Sequence, residues 1–152
     1  MLAGCQSDNG KNNPVPVATV VLPPSRKLAS DELLKVEVAI YDYFLQPQFW
    51  TNGVYAAVFV QGDNGEFDVI CGQFPNPVPP IKPNGRAQLL PNRTLVDRDT
   101  GLPAMILSVV AQEAVGDMVQ ADGRWFAGAA VSGSRTFTLQ QANGGWRIES
   151  VK

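Results

Sequence analysis

The chain contains no histidine, and this absence limits its chemistry more than any other feature of its composition. Histidine is the base of Ser-His-Asp and Cys-His nucleophile systems and the commonest metal ligand. It is also the side chain that most readily exchanges a proton near pH 7. Any catalysis by this chain would therefore depend on carboxylates, tyrosines or lysines.

Three further absences narrow the classes of ligand and partner. The net charge is −2 and no run of basic residues is longer than Arg26-Lys27, so the chain lacks the positive surface that nucleic-acid binding requires. No stretch approaches the roughly 20 apolar residues that span a bilayer as a helix. Neither a glycine-rich phosphate loop nor a paired-cysteine metal motif is present. We therefore expect no nucleic acid, no cofactor and no metal.

The composition that remains suits one folded domain preceded by a tail. The chain has 152 residues, of which 45% are hydrophobic, so it can bury a core. The 14 glycines and 12 prolines indicate many turns rather than a helical bundle. Because no apolar periodicity begins before residue 29, we expect a tail over residues 1–28 and a single domain over residues 29–152.

The start of the chain predicts a lipid anchor. Residues 2–5, Leu-Ala-Gly-Cys, resemble the lipobox of bacterial lipoproteins, in which the cysteine is lipidated, although four common residues also match by chance. Residues 6–27 are rich in Asn, Pro, Ser, Asp and Gly, as expected of a flexible tether. We therefore expect lipidation of Cys5 and a place in the bacterial cell envelope, periplasmic or anchored to the outer membrane. Gln6, where inner-membrane retention uses aspartate, favours the outer membrane.

The second cysteine, Cys71, has two interpretations. It lies in an apolar segment, residues 67–74, that predicts a strand, where a buried and inert thiol is the usual role. The alternative is a disulfide with Cys5, which lipidation of Cys5 would prevent.

The first element of the domain is a predicted amphipathic helix. Ser30 is suited to cap its start, and Asp31 and Glu32 suit the positive end of the helix dipole. Apolar residues then recur at spacings of three and four until Pro47 ends the pattern: Leu33, Val36, Ile40 and Phe44. This spacing predicts about four helical turns that pack across a sheet.

Strand patterns follow the helix. Residues 54–61 and 67–73 flank Asp63-Asn64-Gly65, a combination that predicts a hairpin. The proline-rich residues 75–85 exclude a central strand and predict an extended loop, with PxxP-type recognition as an alternative. Further predicted strands lie within residues 87–96, 104–110, 118–121, 124–131, 135–141 and 146–151. One helix followed by about six antiparallel strands is an α+β arrangement.

The closing strands resemble a known superfamily. Phe137-Thr-Leu139 and Asn143-Gly-Gly-Trp146-Arg-Ile148 are similar to the terminal hairpin of the nuclear-transport-factor-two-like, or cystatin-like, superfamily. The run from Asp99 to Ile106, with Gly128, is similar to small bacterial exported proteins of unknown function. The resemblance covers residues 30–152. It implies an N-terminal helix cupped by a strongly curved antiparallel sheet of about six strands, a shape called the cone here.

The superfamily has both catalytic and noncatalytic members. Its enzymes, such as ketosteroid isomerase and scytalone dehydratase, use carboxylates, tyrosines or histidines inside the cone, whereas other members bind proteins through the sheet. By this resemblance a ligand pocket would contain Tyr41, Trp50, Asp68 and Trp125, with Tyr41 and Asp68 as hydrogen-bond donor and carboxylate. Strand alternation nevertheless places Asp68 opposite its apolar neighbours and so toward solvent. We expect no catalytic residue.

Residues 97–101, Asp-Arg-Asp-Thr-Gly, form the most polar cluster. Alternate aspartates occur in calcium loops, but the glycine comes one position early and the other oxygen ligands are missing. An ordinary turn is the favoured interpretation.

These features predict a noncatalytic, lipid-anchored envelope protein that binds another protein or an envelope component through its sheet. The alternatives are a binder or carrier of a small apolar ligand inside the cone and an isomerase-like or lyase-like enzyme. An open apolar cone with convergent polar groups would favour the alternatives. The partner and the oligomeric state, monomer or homodimer, stay open.

Overall fold

The computed structural model describes residues 14–49, 55–61 and 64–152 of the chain. Over these residues the protein has an α+β fold, in which two α-helices pack on a strongly curled, mixed sheet that forms a half-barrel. The predicted fold class and the N-terminal helix are confirmed. The predicted antiparallel pairing throughout the sheet is wrong, since one strand has parallel neighbours on both sides.

The elements follow one another along the chain as two helices and ten strands within the described residues. They are β1 (Ser25–Arg26), α1 (Ser30–Phe44), β2 (Ala57–Val60), α2 (Asn64–Gly72), β3 (Ile81–Pro83), β4 (Ala87–Leu89), β5 (Leu95–Asp97), β6 (Ala104–Ala111), β7 (Ala114–Val115), β8 (Met118–Gly128), β9 (Val131–Ala142) and β10 (Gly145–Val151). Short 3₁₀ turns occupy Pro47–Phe49 and Asn84–Arg86.

Helix α1 begins one residue earlier than predicted. Ala29, not Ser30, is the cap residue, and its backbone N–H donates a hydrogen bond to the Glu32 carboxylate at 3.0 Å. Arg26 of β1 donates two hydrogen bonds to the same carboxylate, at 2.7 and 2.8 Å. Glu32 therefore satisfies the helix start and ties β1 to α1, so Ser30 is free to be the first helical residue.

The main sheet runs in the order β3-β2-β6-β8-β9-β10, with β7 and β1 paired beside the start of β8. Strands β6, β8, β9 and β10 are antiparallel neighbours, whereas β2 is parallel to both β3 and β6. Parallel neighbours need a crossover connection, and α2 supplies it between β2 and β3. Strands β4 and β5 form a separate two-stranded ribbon, so residues 87–96 hold two strands rather than the single one predicted.

The predicted hairpin around Asn64 and Gly65 is wrong, because Asn64–Gly72 forms α2. Short apolar runs fit the helical and the strand period equally well. Here the helical spacing prevails: Ile70 is fully buried, and Phe67 and Cys71, three residues before and one after it, pack half-buried against the core. The exclusion of a central strand from the proline-rich residues 75–85 is confirmed. Their one strand, β3, lies at the edge of the sheet, where proline is tolerated.

The closing meander is confirmed. Strand β8 joins two of the predicted strands into one of 11 residues, and β9 and β10 follow as antiparallel neighbours. Asn143 and Gly144 make the β9–β10 turn with φ values of 51° and 76°. This left-handed conformation is what an Asn-Gly hairpin turn requires.

The core lies between α1 and the sheet. Val36, Ile40 and Phe44 of α1 are buried in this core, and Gly123 of β8 permits the close approach of Ile40 and Phe44. A Cβ atom at Gly123 would lie 2.5 Å from Cε2 of Phe44 and 2.7 Å from Cε2 of Phe137. Side chains of α1 therefore fill this part of the helix-covered face. A second, smaller core lies under the β4–β5 ribbon: Ala57, Phe59, Leu95 and Ala104.

Candidate functional site

The three described residues of the expected pocket occupy different surroundings. Tyr41 lies on α1 and is 1% exposed, and Trp50 lies outside the described residues. Trp125 of β8 is half-buried, with its ring over Gly133 and 5.6 Å from the ring of Phe44. Asp68 is exposed on α2 rather than on a strand. Because positions two apart on a helix point to opposite sides, Asp68 points away from the side on which Ile70 is buried. The expected donor and carboxylate are therefore not paired.

A different pair of carboxylates lies near Tyr41. Glu37 precedes Tyr41 by one turn of α1, so the two side chains share a face of the helix. Glu66 lies exposed on α2, one turn before the buried Ile70, and its charge acts on Tyr41. We call Glu37, Tyr41 and Glu66 the Tyr41 cluster.

Burial and charge set the protonation of the Tyr41 cluster. Burial raises the pKa of Tyr41 far above its ordinary value, and the charges of Glu37 and Glu66 raise it further, so the hydroxyl keeps its proton. Burial, with a smaller contribution from Glu66, raises the pKa of Glu37 to about 7. Glu37 therefore exchanges its proton near neutral pH, a property that the absence of histidine had made unexpected.

The Tyr41 hydroxyl is an unsatisfied polar group. Within the described residues it has no hydrogen-bond partner, although the side chain is almost completely buried. Buried hydroxyls normally have a partner, and one without needs an explanation. The superfamily resemblance pointed to Tyr41, but sequence reasoning missed Glu37. The available signal was a glutamate beside the buried Val36 and one turn from Tyr41.

The polar cluster at residues 97–101 is a turn that binds a lysine. Asp97 is fully buried and accepts hydrogen bonds from Lys82 Nζ at 2.7 Å, Thr100 Oγ1 at 3.1 Å and the Asp99 N–H at 3.2 Å. Burial raises the pKa of Asp97, but these hydrogen bonds outweigh it and hold the pKa below its usual value. Lys82 and Arg86 also pair with Asp99, at 3.2 and 3.3 Å. The predicted turn is confirmed, and protein cations already neutralise its carboxylates.

The described residues contain neither a metal site nor a second functional site at Cys71. The described part of the chain holds no group of three or more acidic or cysteine side chains placed to bind a metal. Cys71 is a free thiol, so the alternative disulfide does not form, and it lies on α2 instead of the expected strand. Burial, and secondarily Asp68, raises the pKa of its thiol, which lowers its reactivity. Cys5 lies outside the described residues.

Two surfaces remain open to partners. The face of β8, β9 and β10 turned away from α1 carries polar side chains, among them Gln120, Arg124, Thr138 and Arg147. On the helix-covered side of the domain a groove of about 570 Å³ lies between α1, α2 and the start of β10, with Leu34, Val69 and Trp146 among its lining residues. Both surfaces belong to the folded domain and not to the tail.

Over the described ranges, no helix has both the length and the apolar character needed to cross a membrane. Comparison with known proteins finds no match: no family model, no curated protein and no solved structure matches this chain.

Proposed function

We propose that this protein is a noncatalytic, lipid-anchored envelope protein that binds another protein or an envelope component through the open face of its sheet. One observation carries the proposal: Ile40, Phe44 and Phe137 crowd around Gly123, so α1 occupies the helix-covered face where superfamily enzymes bind substrate. The opposite face of β8, β9 and β10 stays accessible beyond the β4–β5 ribbon, which covers Phe126 of β8. It is wide, polar and of mixed charge, as recognition surfaces outside their apolar centres commonly are.

Site-specific photo-crosslinking in cells tests the proposal. A crosslinking amino acid at Gln120 on the open sheet face should capture a defined envelope partner, and Thr138→Arg should abolish the capture, because Thr138 lies opposite Gln120 in the β8–β9 register. A crosslinker at the exposed Glu113 serves as the control position. Capture from Lys35, in the groove beside α1, but not from Gln120 would contradict binding through the sheet.

A second candidate function, binding of a small ligand, is favoured by the Tyr41 cluster. A buried hydroxyl without a partner and a half-buried carboxylic acid that titrates near pH 7 are features of ligand sites and of acid–base sites. Ligand binding at this cluster is compatible with partner binding at the sheet, because the residues of the Tyr41 cluster belong to the helices and not to the open sheet face.

A further inference from the structure

We propose that residues 15–22 of one copy of this chain dock in the groove between α1, α2 and the start of β10 of a second copy. Residues 15–22 are called the apolar segment here, and the cavity of about 570 Å³ is called the helix groove. Exchange of the two segments gives a symmetric homodimer, the closed arrangement most common among soluble oligomers. The proposal goes beyond the proposed function, because the open sheet face takes no part in it.

The apolar segment has no partner in the single chain. It carries five large apolar side chains, each at least 74% exposed: Val15, Val17, Val20, Val21 and Leu22. Residues 14–24 contain no charged side chain. Apolar side chains that are exposed singly are common, but a cluster of them marks a surface that another molecule covers.

The helix groove offers an apolar surface of matching chemistry. Leu34 and Val38 of α1, Val69 of α2 and Trp146 of β10 line it. Lys35, which also lines it, donates a hydrogen bond through Nζ to a carbonyl oxygen of the β9–β10 turn at 2.8 Å, so its charge already has a partner. The volume lies within the roughly 300–1,000 Å³ typical of ligand sites, which suits several aliphatic side chains.

The apolar segment leaves the domain at the end of the sheet where the helix groove lies. Pro23 contacts the β7–β8 turn, since a Cβ atom at Gly116 would lie 3.3 Å from its ring. The next residue of this turn, Asp117, accepts a hydrogen bond from the Gln141 N–H at 2.8 Å, and Gln141 pairs with Trp146 of the groove lining. Two strand spacings, about 10 Å, therefore separate this exit point from the groove.

Two prolines favour the groove of a second copy over the chain's own groove. Pro23 and Pro24 fix φ at about −65°, and each restricts the residue before it to extended conformations. The chain therefore continues outward from the end of the sheet instead of turning back over its own domain. In the single chain the apolar segment is exposed and the groove is open. Extended, residues 15–22 span about 25 Å, enough to reach a copy that faces this end.

Photo-crosslinking in purified full-length protein tests the contact. A crosslinking amino acid replaces Val17 and is activated in an equal mixture of isotope-labelled and unlabelled protein, and mass spectrometry identifies the crosslinked peptides. We expect peptides of α1 and α2 from the groove lining, in pairs that join a labelled to an unlabelled chain. Such pairs form only between copies. The sample contains no membrane and no envelope partner, so its result is independent of binding through the sheet.

Matched variants connect this contact to dimer formation, which sedimentation equilibrium measures. Val17→Glu in the segment and Val69→Glu in the groove should each weaken dimerisation about tenfold or more, because the new charge would have to leave water. Val131→Glu is the control and should change it less than about twofold. Val131 is 45% exposed, against 47% for Val69, and begins β9 outside the groove lining. Circular dichroism checks that each variant is folded.

The results separate the occupants of the groove. Labelled–unlabelled pairs at the groove, together with loss of the dimer in Val17→Glu and Val69→Glu, would support the exchange. Groove crosslinks confined to pairs of equal label would place the segment in its own groove and overturn the exchange. Crosslinks away from the groove, a monomer at every concentration, or equal effects of Val69→Glu and Val131→Glu would also overturn it.

Discussion

Tyr41 and Asp97 are both buried polar side chains, and their surroundings differ in one decisive respect. Asp97 accepts hydrogen bonds from Lys82, Thr100 and a backbone N–H, so its charge is stabilised where it lies. Tyr41 has no such partner within the described residues. The first arrangement stabilises a turn, whereas the second leaves capacity for a ligand.

Replacement of Asp97 tests the structural role of the turn. Asp97→Ala should lower the free energy of unfolding by about 2 kcal/mol or more, because it leaves the partners of a fully buried carboxylate unpaired. Asp99→Ala removes only exposed ion pairs and should change it by less than about 1 kcal/mol. Urea unfolding measures both. Equal losses of unfolding free energy in the two variants would show that the buried Asp97 stabilises the fold no more than the exposed Asp99 does.

Glu37 should make stability depend on pH in an unusual direction. Its pKa is raised to about 7 in the folded state, so between its ordinary value and pH 7 the folded protein holds more protons than the unfolded chain. Stability therefore decreases as pH rises through this window. Glu37→Gln should remove the decrease and stabilise the protein at pH 8 by about 1–2 kcal/mol, a figure discounted because the carboxyl is partly exposed. Thermal unfolding at pH 5 and pH 8 compares the two proteins, and identical profiles would contradict the prediction.

At the scale of elements, a helix could be predicted where its apolar pattern is long, and a hairpin where its turn residues are specific. Helix α1 could be predicted because its apolar spacing is sustained over 15 residues. The β9–β10 hairpin could be predicted because Asn143-Gly144 has a specific turn geometry. Helix α2 could not, since Phe67, Ile70 and Cys71 fit a helix while Phe67, Val69 and Cys71 fit a strand equally well. Parallel pairing of β2 depends on this crossover and was missed with it.

Local sequence patterns also limit what could be predicted of the candidate site. The burial of Tyr41 follows from its position next to Ile40, a residue of the apolar stripe that the sequence displays on α1. The approach of Glu66 depends on the packing of α2 against α1, a contact between separate elements that no local pattern encodes. Residues on a predicted helix were therefore placed correctly, and residues on α2 were not.

The packing of α1 on the sheet depends on the absence of a side chain at Gly123. Gly123→Ala places a methyl group 2.5 Å from Phe44 and 2.7 Å from Phe137, so we expect a loss of about 2–3 kcal/mol in the free energy of unfolding. Gly145→Ala is the matched control, because its nearest neighbour lies 3.8 Å away. Urea unfolding of the two variants should differ clearly. A harmless Gly123→Ala would mean that α1 does not press on β8 as described.

At the scale of the whole molecule, the domain and the tail differ in how they meet water. From residue 14 to residue 24 the chain is exposed and makes no regular structure, and Val15, Val17 and Val21 are each more than 80% exposed. Pro23 is the point where this segment reaches the domain, since a Cβ atom at Gly116 would contact its ring at 3.3 Å. The arrangement is compatible with a domain held at a distance from an anchor at Cys5.

Lipidation at Cys5 can be tested in cells. With the chain expressed behind a bacterial lipoprotein export signal, the wild-type protein should incorporate labelled fatty acid and sediment with membranes. Cys5→Ser should abolish the labelling and release the protein to the soluble envelope fraction, whereas Cys71→Ser should change neither. Membrane sedimentation of Cys5→Ser without label would show that the tail is held by something other than a lipid.

The strands at the two borders of the sheet affect how copies of this protein behave when they are concentrated. Strand β3 is only three residues long and ends in Pro83, which cannot donate a backbone hydrogen bond. The opposite border, β10, is interrupted by a bulge between Ile148 and Ser150. Neither border offers a long, regular template for an incoming strand. Crowded neighbours are therefore disfavoured from joining edge to edge into fibrils.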